Sequence, residues 1–158
     1  MNEKKISIRL KLISRCLLLK SNSKLWQQLN EMEAHNEIRR NIPALWSRNQ
    51  NVIVNRIRNQ WKILEFSEEE IHTICGFLEV NCFEVGQNGS NSARALFPEA
   101  YLLCHDCIPN TNHTDDATTH ELIIRTTKPL KKGEVITLSY AYTLQVLINS
   151  FSLLTYAF

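Results

Sequence analysis

Glycine and proline are scarce in this chain, whose 158 residues contain 4 of each. This scarcity excludes collagen-like and linker-rich sequences. Long hydrophobic runs are also absent, since Arg9, Lys11 and Arg15 interrupt the N-terminal stretch and no run approaches the ~20 residues of a membrane-spanning helix. The sequence therefore predicts a soluble chain without a membrane partner. The N-terminal stretch also lacks the uninterrupted apolar segment and small-residue cleavage site of a secretory signal.

Cysteine is present, but its pattern does not indicate disulfides. The 5 cysteines are an odd number at irregular spacing, and a chain of this length can bury a core without covalent cross-links. Hydrophobic residues make up 44% of the sequence and charged residues 22%, which is ordinary for one globular domain. We therefore expect reduced thiols and an intracellular protein.

Charge is unevenly distributed, although the net charge is only +2. Residues 1–65 contain 13 Lys and Arg against 5 Asp and Glu, a net charge of +8, whereas residues 66–158 contain 5 against 11, a net charge of −6. Two explanations stay open: the halves attract each other, or the acidic half faces a basic partner. The basic half has no aromatic platform between its cations, so no direct nucleic-acid binding is expected.

The first half of the sequence predicts helices. Apolar residues recur at helical spacing in three stretches, namely Ile8 to Leu19, Leu25 to Met32 and Val52 to Leu64. Ser23 is predicted to cap the second stretch, which runs toward Arg40 until Pro43 ends or redirects it. Trp61, on the apolar stripe of the third stretch, is predicted to lie in the core.

A further helix is predicted by a capping box. Ser67 and Glu70 stand three residues apart, directly before an apolar stripe that starts at Ile71. We expect this helix to end near Asn81, with Gly76 as its weak point because glycine is a poor helix former.

The second half of the sequence changes to turns and short strands. Residues 86–92 are rich in Gly, Asn and Ser and predict a turn, and Pro98 can begin a helical turn. Residues 121–127 and 135–140 predict two strands, the first of them preceded by a polar loop at 115–119. The expected fold class is α+β, with helices first and a small β region last.

Four side chains with reactive or metal-binding chemistry are adjacent in Cys104-His105-Asp106-Cys107. One Cys-x-x-Cys without a second pair does not complete a zinc site, and Pro109 follows too soon for a redox-active helix. A Cys–His nucleophile has no local signature in its support. On the residues alone, the simplest interpretation is a buried cysteine and a hydrogen-bonded histidine under a turn.

Tyrosine and asparagine side chains supply further candidates. Tyr140 and Tyr142 stand two apart at the end of a predicted strand, so their rings could line one wall of a pocket, although core packing is the default for such aromatics. Asn81 and Asn110 each stand where a helix or turn ends, which is a common capping position. None of these residues decides a function singly.

Three segments occur in an informative order: Gly76–Glu84 (GFLEVNCFE), Leu96–Asn110 (LFPEAYLLCHDCIPN) and Leu130–Tyr140 (LKKGEVITLSY). In this order the chain resembles the C-terminal half of a SET domain, specifically of the SMYD type (SET and MYND domain-containing) and its arthropod SMYD-A branch. That family shows an Asn-Ala/Ser-Phe segment, then Ser-Leu-Leu-Asn-His-Ser-Cys-x-Pro-Asn, then Gly-Glu-Glu-Leu-Thr-Ile-Ser-Tyr. Residues 17–20 and 33–40 also resemble the helical insert that precedes these motifs.

The resemblance implies a fold and an activity. The fold would be a helical N-terminal half followed by the C-terminal half of a SET-type β fold with a pseudoknot-like motif. SET enzymes of this type transfer a methyl group from S-adenosylmethionine (SAM) to a lysine nitrogen. By position, His105 and Asn81 match residues that hold the cofactor, and Asn110, in the Pro-Asn turn, is assigned to the same cofactor site. Tyr140 matches the hydroxyl that lines the methyl-transfer channel, and Cys107 matches a cysteine that binds zinc together with three post-SET cysteines.

The sequence departs from the family pattern in four ways. Cys104 and Asp106 replace the Asn and Ser that flank the motif histidine, and Asp106 would bring a carboxylate beside the expected cofactor pocket. No Gly-x-Gly marks the start of a SET domain, and no MYND zinc-finger ligand set precedes residue 75. Residues 146–158 contain no cysteine and no charge, so Cys107 lacks post-SET partners and no zinc is expected. We interpret the chain as a SET domain shortened at both ends.

Two functions follow from the resemblance and stay open. The first is a protein-lysine methyltransferase, with SAM near His105 and a lysine-containing protein or peptide, such as a histone, as substrate. The second is a catalytically inactive, SET-derived interaction module in transcription or chromatin regulation. A small helical scaffold with an incidental hairpin is a third interpretation, but it does not explain the three ordered motifs.

The resemblance also implies a domain division and a cellular location. Residues 1–66 would form the helical insert region, residues 67–142 the C-terminal half of the SET domain, and residues 143–158 a divergent tail in place of the post-SET segment. The nucleus, the cytoplasm or both are the expected locations, since no compact basic targeting run is present.

Overall fold

The computed structural model of the chain describes residues 3–86, 93–116 and 118–140. The chain separates into two compact units. Unit 1 comprises Met1–Glu84 and Arg94–Pro98, and unit 2 comprises Val85–Ala93 and Glu99–Phe158. The division expected after residues 66 and 142 stays a prediction. Tyr142 and the tail at 143–158, as well as most of the turn expected at 86–92, lie outside the described residues.

The described part of unit 1 contains five α-helices, which confirms the helical character expected of the first half. They are α1 (Glu3–Leu18), α2 (Ser23–Asn30), α3 (Asn36–Arg40), α4 (Pro43–Asn49) and α5 (Glu68–Val80). A 3-10 turn at Leu19–Ser21 follows α1, and α4 continues into π-helical turns at Gln50–Val54 and Arg56–Gln60. Within the described ranges, no helix combines the length and apolar character needed to cross a bilayer.

Helix α5 begins and ends where the sequence predicts. Ser67 Oγ accepts a hydrogen bond from Glu70 N at 3.1 Å, and the Glu70 carboxylate accepts one from Ser67 N at 2.8 Å, which completes the capping box. Asn81 follows as the C-cap residue. The apolar stripe of α5 is buried and forms part of the core, with Ile71, Ile74, Phe77 and Leu78 as its members.

Gly76 in the middle of α5 has a packing reason. A Cβ atom built on Gly76 would lie 2.4 Å from Ala34 O and 2.9 Å from Arg39 Nη1. Any side chain there would collide with the backbone that precedes α3. The low helix propensity of glycine is therefore outweighed by the close approach that it permits.

The second predicted helix is shorter than expected and has a different cap. Asn22 Oδ1 accepts a hydrogen bond from Leu25 N at 3.2 Å, so Asn22 and not Ser23 caps α2. The expectation of one segment running to Arg40 is also wrong, because α2 ends at Asn30. His35 then adopts a left-handed backbone conformation with φ of 49° directly before α3, and this separates the two helices.

The third predicted helix starts at Pro43, which therefore redirects the chain. Trp61 is 47% exposed, so the prediction that it lies in the core is wrong. The π-helical turns explain the error: each joins an amide to the carbonyl five residues earlier, as in Trp61 N to Arg56 O at 2.9 Å. This wider turn shifts the 3.6-residue periodicity on which the prediction relied.

A cluster of ionic side chains joins four helices of unit 1. The Glu79 carboxylate accepts hydrogen bonds from Arg9 Nη2, from Arg39 Nε at 2.8 Å and from Asn49 Nδ2 at 3.1 Å. Arg39 is only 4% exposed and also donates to His72 O at 2.8 Å. Burial acts to raise the pKa of Glu79, but the two guanidinium charges and their hydrogen bonds outweigh it, so the pKa lies below its ordinary value.

The described strands form three two-stranded sheets. The strands are β1 (Cys82–Val85), β2 (Ala93–Leu96), β3 (Cys104–His105), β4 (Thr111–Asp116), β5 (Glu121–Thr126) and β6 (Thr137–Leu138). β1 pairs with β2, β3 runs parallel to β6, and β4 runs antiparallel to β5. A 3-10 turn at Ala100–Leu102 follows Pro98 as predicted. The α+β class is thus confirmed.

The predicted strands were only partly located. β5 confirms the strand expected at 121–127, but its partner β4 was missed and overlaps the polar loop expected at 115–119. β4 consists of Thr, Asn, His and Asp, so it shows no apolar alternation. Only two residues of the strand expected at 135–140 are extended as β6. β6 pairs with β3 and not with the other predicted strand.

Candidate functional site

Strand β3 carries His105 and lies beside β6, the strand that leads to Tyr140. Cys104 pairs with Thr137, and His105 pairs with Leu138. The backbone N–H groups of Cys104 and Asp106 donate to the carbonyls of Ile136 and Leu138 at 3.3 and 3.1 Å. A parallel pair cannot be closed by a tight turn, so the chain reaches β6 only after the long excursion through β4 and β5.

The side chain of His105 contacts Tyr140 directly. Tyr140 N donates a hydrogen bond to His105 Nδ1 at 3.1 Å, and the two ring centroids are 5.1 Å apart. Because Nδ1 accepts this bond, the neutral imidazole carries its proton on Nε2. Nε2 lies 3.6 Å from Cys107 Sγ. The structure therefore holds the histidine ring in one orientation between two motifs that are 35 residues apart.

The Tyr140 hydroxyl donates a hydrogen bond to the carbonyl of Leu103, the residue before β3. The tyrosine is 58% exposed, so its ring remains partly accessible to a ligand. Partial burial, and to a smaller extent Cys104, raises the pKa of Tyr140 above its ordinary value, and the hydroxyl stays protonated at neutral pH. Two oxygen atoms, one from the phenol and one from the backbone, thus lie side by side.

Asn110 fastens the Pro-Asn turn to the segment that includes β6. Its Oδ1 accepts from Thr137 N at 2.8 Å and its Nδ2 donates to Val135 O at 2.8 Å. Its backbone N–H donates to Thr137 Oγ1 at 2.9 Å. Asn110 is 7% exposed, and the amide side chain is therefore engaged with the backbone of a neighbouring segment. Its assignment to the cofactor site stays a prediction.

The two cysteines of this region lie at the surface. Cys104 and Cys107 are both exposed, so the expectation of a buried cysteine under the turn is wrong. Strand β3 has only two residues, both of them exposed, so few neighbouring atoms cover the two thiols. In the described ranges, no group of three or more His, Cys, Asp or Glu side chains is arranged to hold a metal ion. The zinc role inferred for Cys107 therefore gains no support.

Asp106 uses its carboxylate within its own turn. Oδ1 accepts a hydrogen bond from Ile108 N at 2.9 Å, which is the geometry of an Asx-turn. The sequence predicted that this carboxylate would lie beside the cofactor pocket. The turn hydrogen bond gives the side chain a local structural role, and its position beside a cofactor pocket stays a prediction.

Asn81 lies in unit 1, whereas His105, Asn110 and Tyr140 lie in unit 2. Its Nδ2 donates to Glu33 O at 2.9 Å and to Phe77 O at 3.0 Å. Glu33 and Phe77 both line an open cleft of about 430 Å³ in unit 1, formed by residues 32–38 with neighbouring side chains of α5. The capping position expected for Asn81 is confirmed, and its role toward a cofactor stays a prediction.

The sequence analysis did not identify this cleft. Its wall depends on the left-handed backbone of His35, at φ of 49°, and on the Glu33 carboxylate, which accepts from His35 N at 2.9 Å. Histidine is enriched among the few non-glycine residues in the left-handed region, but most histidines lie outside it, so the residue type alone did not indicate this conformation. A glycine or asparagine at position 35 would have indicated a turn, but the sequence has neither.

The sequence pattern of the SET domain matches residues 12–141 of this chain. No curated protein and no solved structure matches it. The matched region contains all three ordered motifs, the His105–Tyr140 contact and the parallel pair of β3 and β6. Most of the chain is therefore covered, and the protein belongs to the SET domain family.

Proposed function

We propose that this chain acts as a SAM-dependent protein-lysine methyltransferase, with His105 holding the cofactor and Tyr140 lining the site of methyl transfer. Membership of the SET domain family supports a protein-lysine methyltransferase-like activity. The observation that carries the proposal is the joint contact of Tyr140 with His105 and Leu103. It unites the cofactor motif and the final tyrosine of the family in one place.

The chemistry of the reaction requires a neutral amine. A free lysine has a pKa near 10.4, so deprotonation at pH 7 costs about 3.4 pKa units or about 4.6 kcal/mol. Removal of water from the amine when the substrate binds would favour the uncharged form, because desolvation penalises the ammonium form. No general base is needed in the site, since the solvent can take the proton before the amine enters it.

The residues present fit the cofactor's reactive group. SAM, when bound, supplies an electropositive methyl group. The Tyr140 oxygen keeps its lone pairs as acceptors, because its proton is committed to Leu103 O. The phenol oxygen and the carbonyl oxygen thus provide negative partial charge at one place, and they can align the incoming amine by positioning. The His105 Nε2–H group lies 3.6 Å from Cys107 Sγ, a weak acceptor that a polar atom of the cofactor would replace.

The finer identity of the protein is also part of the proposal. The motif order and the helical insert support a SMYD-type SET protein of the arthropod SMYD-A branch. The net charge of −6 over residues 66–158 suits a basic, lysine-containing protein or peptide, such as a histone tail. The nucleus and the cytoplasm are the compartments in which such a substrate would be met.

A second function is favoured by one observation. Cys104 and Asp106 stand where the family has Asn and Ser, and the Asp106 carboxylate is committed to Ile108 N. The amide group that binds cofactor in the family is therefore replaced by a thiol. This difference supports a catalytically inactive interaction module that keeps the SET surface for transcription or chromatin regulation.

A binding titration separates the two functions. We expect SAM to give saturable heat on titration into the full chain, and His105→Ala to weaken that binding by at least about tenfold, as for loss of a hydrogen bond to a charged ligand. Asn81→Ala tests the predicted cofactor role of Asn81 in the same way. The absence of saturable binding at millimolar SAM would contradict the methyltransferase and leave the interaction module.

Transfer of tritium from methyl-labelled SAM to core histones and to a lysine-centred peptide library then tests catalysis. Tyr140→Phe is expected to lower the rate by about a hundredfold or more, because the phenol oxygen no longer aligns the amine. Tyr101→Phe is the matched control, since it removes a phenol hydroxyl at another position of unit 2. Equal rates in the two variants would refute the role of Tyr140.

A further inference from the structure

Thr111 uses its hydroxyl on the backbone of another strand. The residue is 1% exposed, and its Oγ1 donates a hydrogen bond to Thr137 O at 2.7 Å. Thr111 opens β4, and its register partner on β5 is Thr126. Because the β4–β5 ladder needs only backbone groups, the Thr111 side chain makes a separate connection, from the β4–β5 sheet to β6.

Asn110 and Thr111 together form a clamp on the segment that contains β6. Asn110 binds Val135 O through its Nδ2, Thr137 N through its Oδ1 and Thr137 Oγ1 through its backbone N–H. Thr111 adds the bond to Thr137 O. Both polar groups of the Thr137 backbone are thereby satisfied by two adjacent residues, Asn110 and Thr111, which we call the β6 clamp.

The β6 clamp fixes the register of β6, because this strand is too short to do so through its own ladder. The pairing of β3 with β6 extends over only two residues on each strand, so this ladder contributes few hydrogen bonds to its own register. A slip of one residue would move every side chain of the strand to the opposite face. Tyr140 follows Thr137 by three residues and makes its bonds to His105 and Leu103 only in the observed register.

We propose that Thr111 is a positioning residue for Tyr140: by holding Thr137 O, it keeps the tyrosine in register with His105. The inference rests on the proposed function, in which Tyr140 is the catalytic residue. Thr111 acts from a distance, through β6, and nothing in the family motif of Pro-Asn identifies it. A misplacement of about 1 Å at the reacting groups is enough to cost about a hundredfold in rate.

Amide hydrogen exchange tests the register without any reaction. In Thr111→Val, which keeps the shape of the side chain and removes the hydroxyl, the Tyr140 amide is expected to exchange about tenfold faster, as for the loss of one hydrogen bond. The Ile71 amide in α5 donates to Ser67 O, reports the stability of unit 1 and is expected to stay unchanged. Thr111→Ser restores the hydroxyl and is expected to restore protection.

Thr126→Val is the matched control, because it alters the register partner of Thr111 on the same sheet. It is expected to leave the Tyr140 amide unchanged. An unaltered Tyr140 amide in Thr111→Val, or equal acceleration at Ile71, would overturn the inference. If Thr111→Val does not fold, Thr137→Val replaces it, since it removes the hydroxyl that accepts from Asn110 N on the other side of the clamp.

Kinetics supply the functional readout. With tritium-labelled SAM and core histones, Thr111→Val is expected to lower kcat by about ten- to a hundredfold. Kd for SAM is expected to change by less than about threefold, because the His105 ring loses only the bond from Tyr140 N and keeps its contact with Cys107 Sγ. A parallel loss of SAM affinity would refute a positioning role. A wild-type chain that transfers no methyl group would contradict the proposed function, while hydrogen exchange would still decide whether Thr111 sets the register.

Discussion

The two units of the molecule are ordered by different interactions. Among the described residues, 16 of the 19 buried hydrophobic side chains lie in unit 1, and only Ala100, Leu103 and Leu138 lie in unit 2. Unit 2 instead buries Asn110 and Thr111, whose polar groups bind the backbone of another strand. Apolar burial is non-directional, whereas hydrogen bonds specify position, so in the described residues unit 1 is held mainly by apolar packing and unit 2 mainly by directional hydrogen bonds.

This difference predicts that substitutions in unit 1 change the free energy of unfolding most. Ile74, which is 1% exposed on α5, is the strongest case. Ile74→Ala should lower the free energy of unfolding by about 4 kcal/mol, through lost transfer energy and the cavity left behind. Urea denaturation measures this change in the free energy of unfolding. Leu64→Ala, at an exposed position, should change the free energy of unfolding by less than about 0.5 kcal/mol. Comparable losses in both variants would contradict the expected difference between buried and exposed positions.

The ion cluster around Glu79 is an exception within unit 1. It is polar, yet we expect it to contribute strongly to the free energy of unfolding. Glu79→Gln should cost about 3 kcal/mol, since it leaves the Arg9 and Arg39 charges partly buried and uncompensated. The pKa of Glu79 is below its ordinary value in the folded chain, so its stabilisation is present above pH ~4.3 and is lost as the pH falls through the folded pKa. Stability measured between pH 3 and 7 checks this.

Glu69→Gln is the control for that measurement. Glu69 pairs with Arg40, and both side chains are about half exposed to solvent. An exposed pair is expected to contribute less than about 1 kcal/mol. Equal costs for the two variants, or a Glu79→Gln chain that keeps the acid sensitivity of the wild type, would contradict the assignment.

In unit 2, removal of the clamp amide should act locally. Asn110→Ala deletes two side-chain hydrogen bonds and leaves Thr137 N and Val135 O without these partners, at an expected cost of about 2 kcal/mol. Exchange of the Thr137 amide should accelerate while that of α5 amides stays unchanged. Asn112→Ala, at an exposed position on β4, is the control. Equally accelerated exchange of the α5 amides would show that the effect of Asn110→Ala is not local.

The last prediction concerns the pH dependence of methyl transfer. The rate at low substrate should rise about tenfold per pH unit between pH 7 and 9, as the lysine amine loses its proton. Tyr140 should not limit this rise, since its pKa is raised and its hydroxyl stays protonated throughout. A rate measured with tritium-labelled SAM that levels off or falls within this range would point to ionisation of a site residue.

Sequence reasoning succeeded where the stabilising contacts are short in sequence. The Ser67–Glu70 capping box and the end of α5 at Asn81 were located correctly. Strand β5 was also located, because its β-branched residues Ile123 and Ile124 have strong strand propensity. It failed at Trp61, where π-helical turns altered the periodicity. It also failed at β4, whose polar residues carry no alternation and whose extended form depends on its pairing with β5.

By itself, the sequence determined the α+β class, the boundaries of α5 and, through the order of its three motifs, membership of the SET domain family. The class and the family depend on residue types and their order. The boundaries of α5 depend on interactions within about four positions. Only the tertiary structure decided that Tyr140 meets His105 and that Thr111 holds Thr137, because these partners are separated by 35 and 26 residues. Local propensity carries no information about such pairs, since they form only when strands distant in sequence come together.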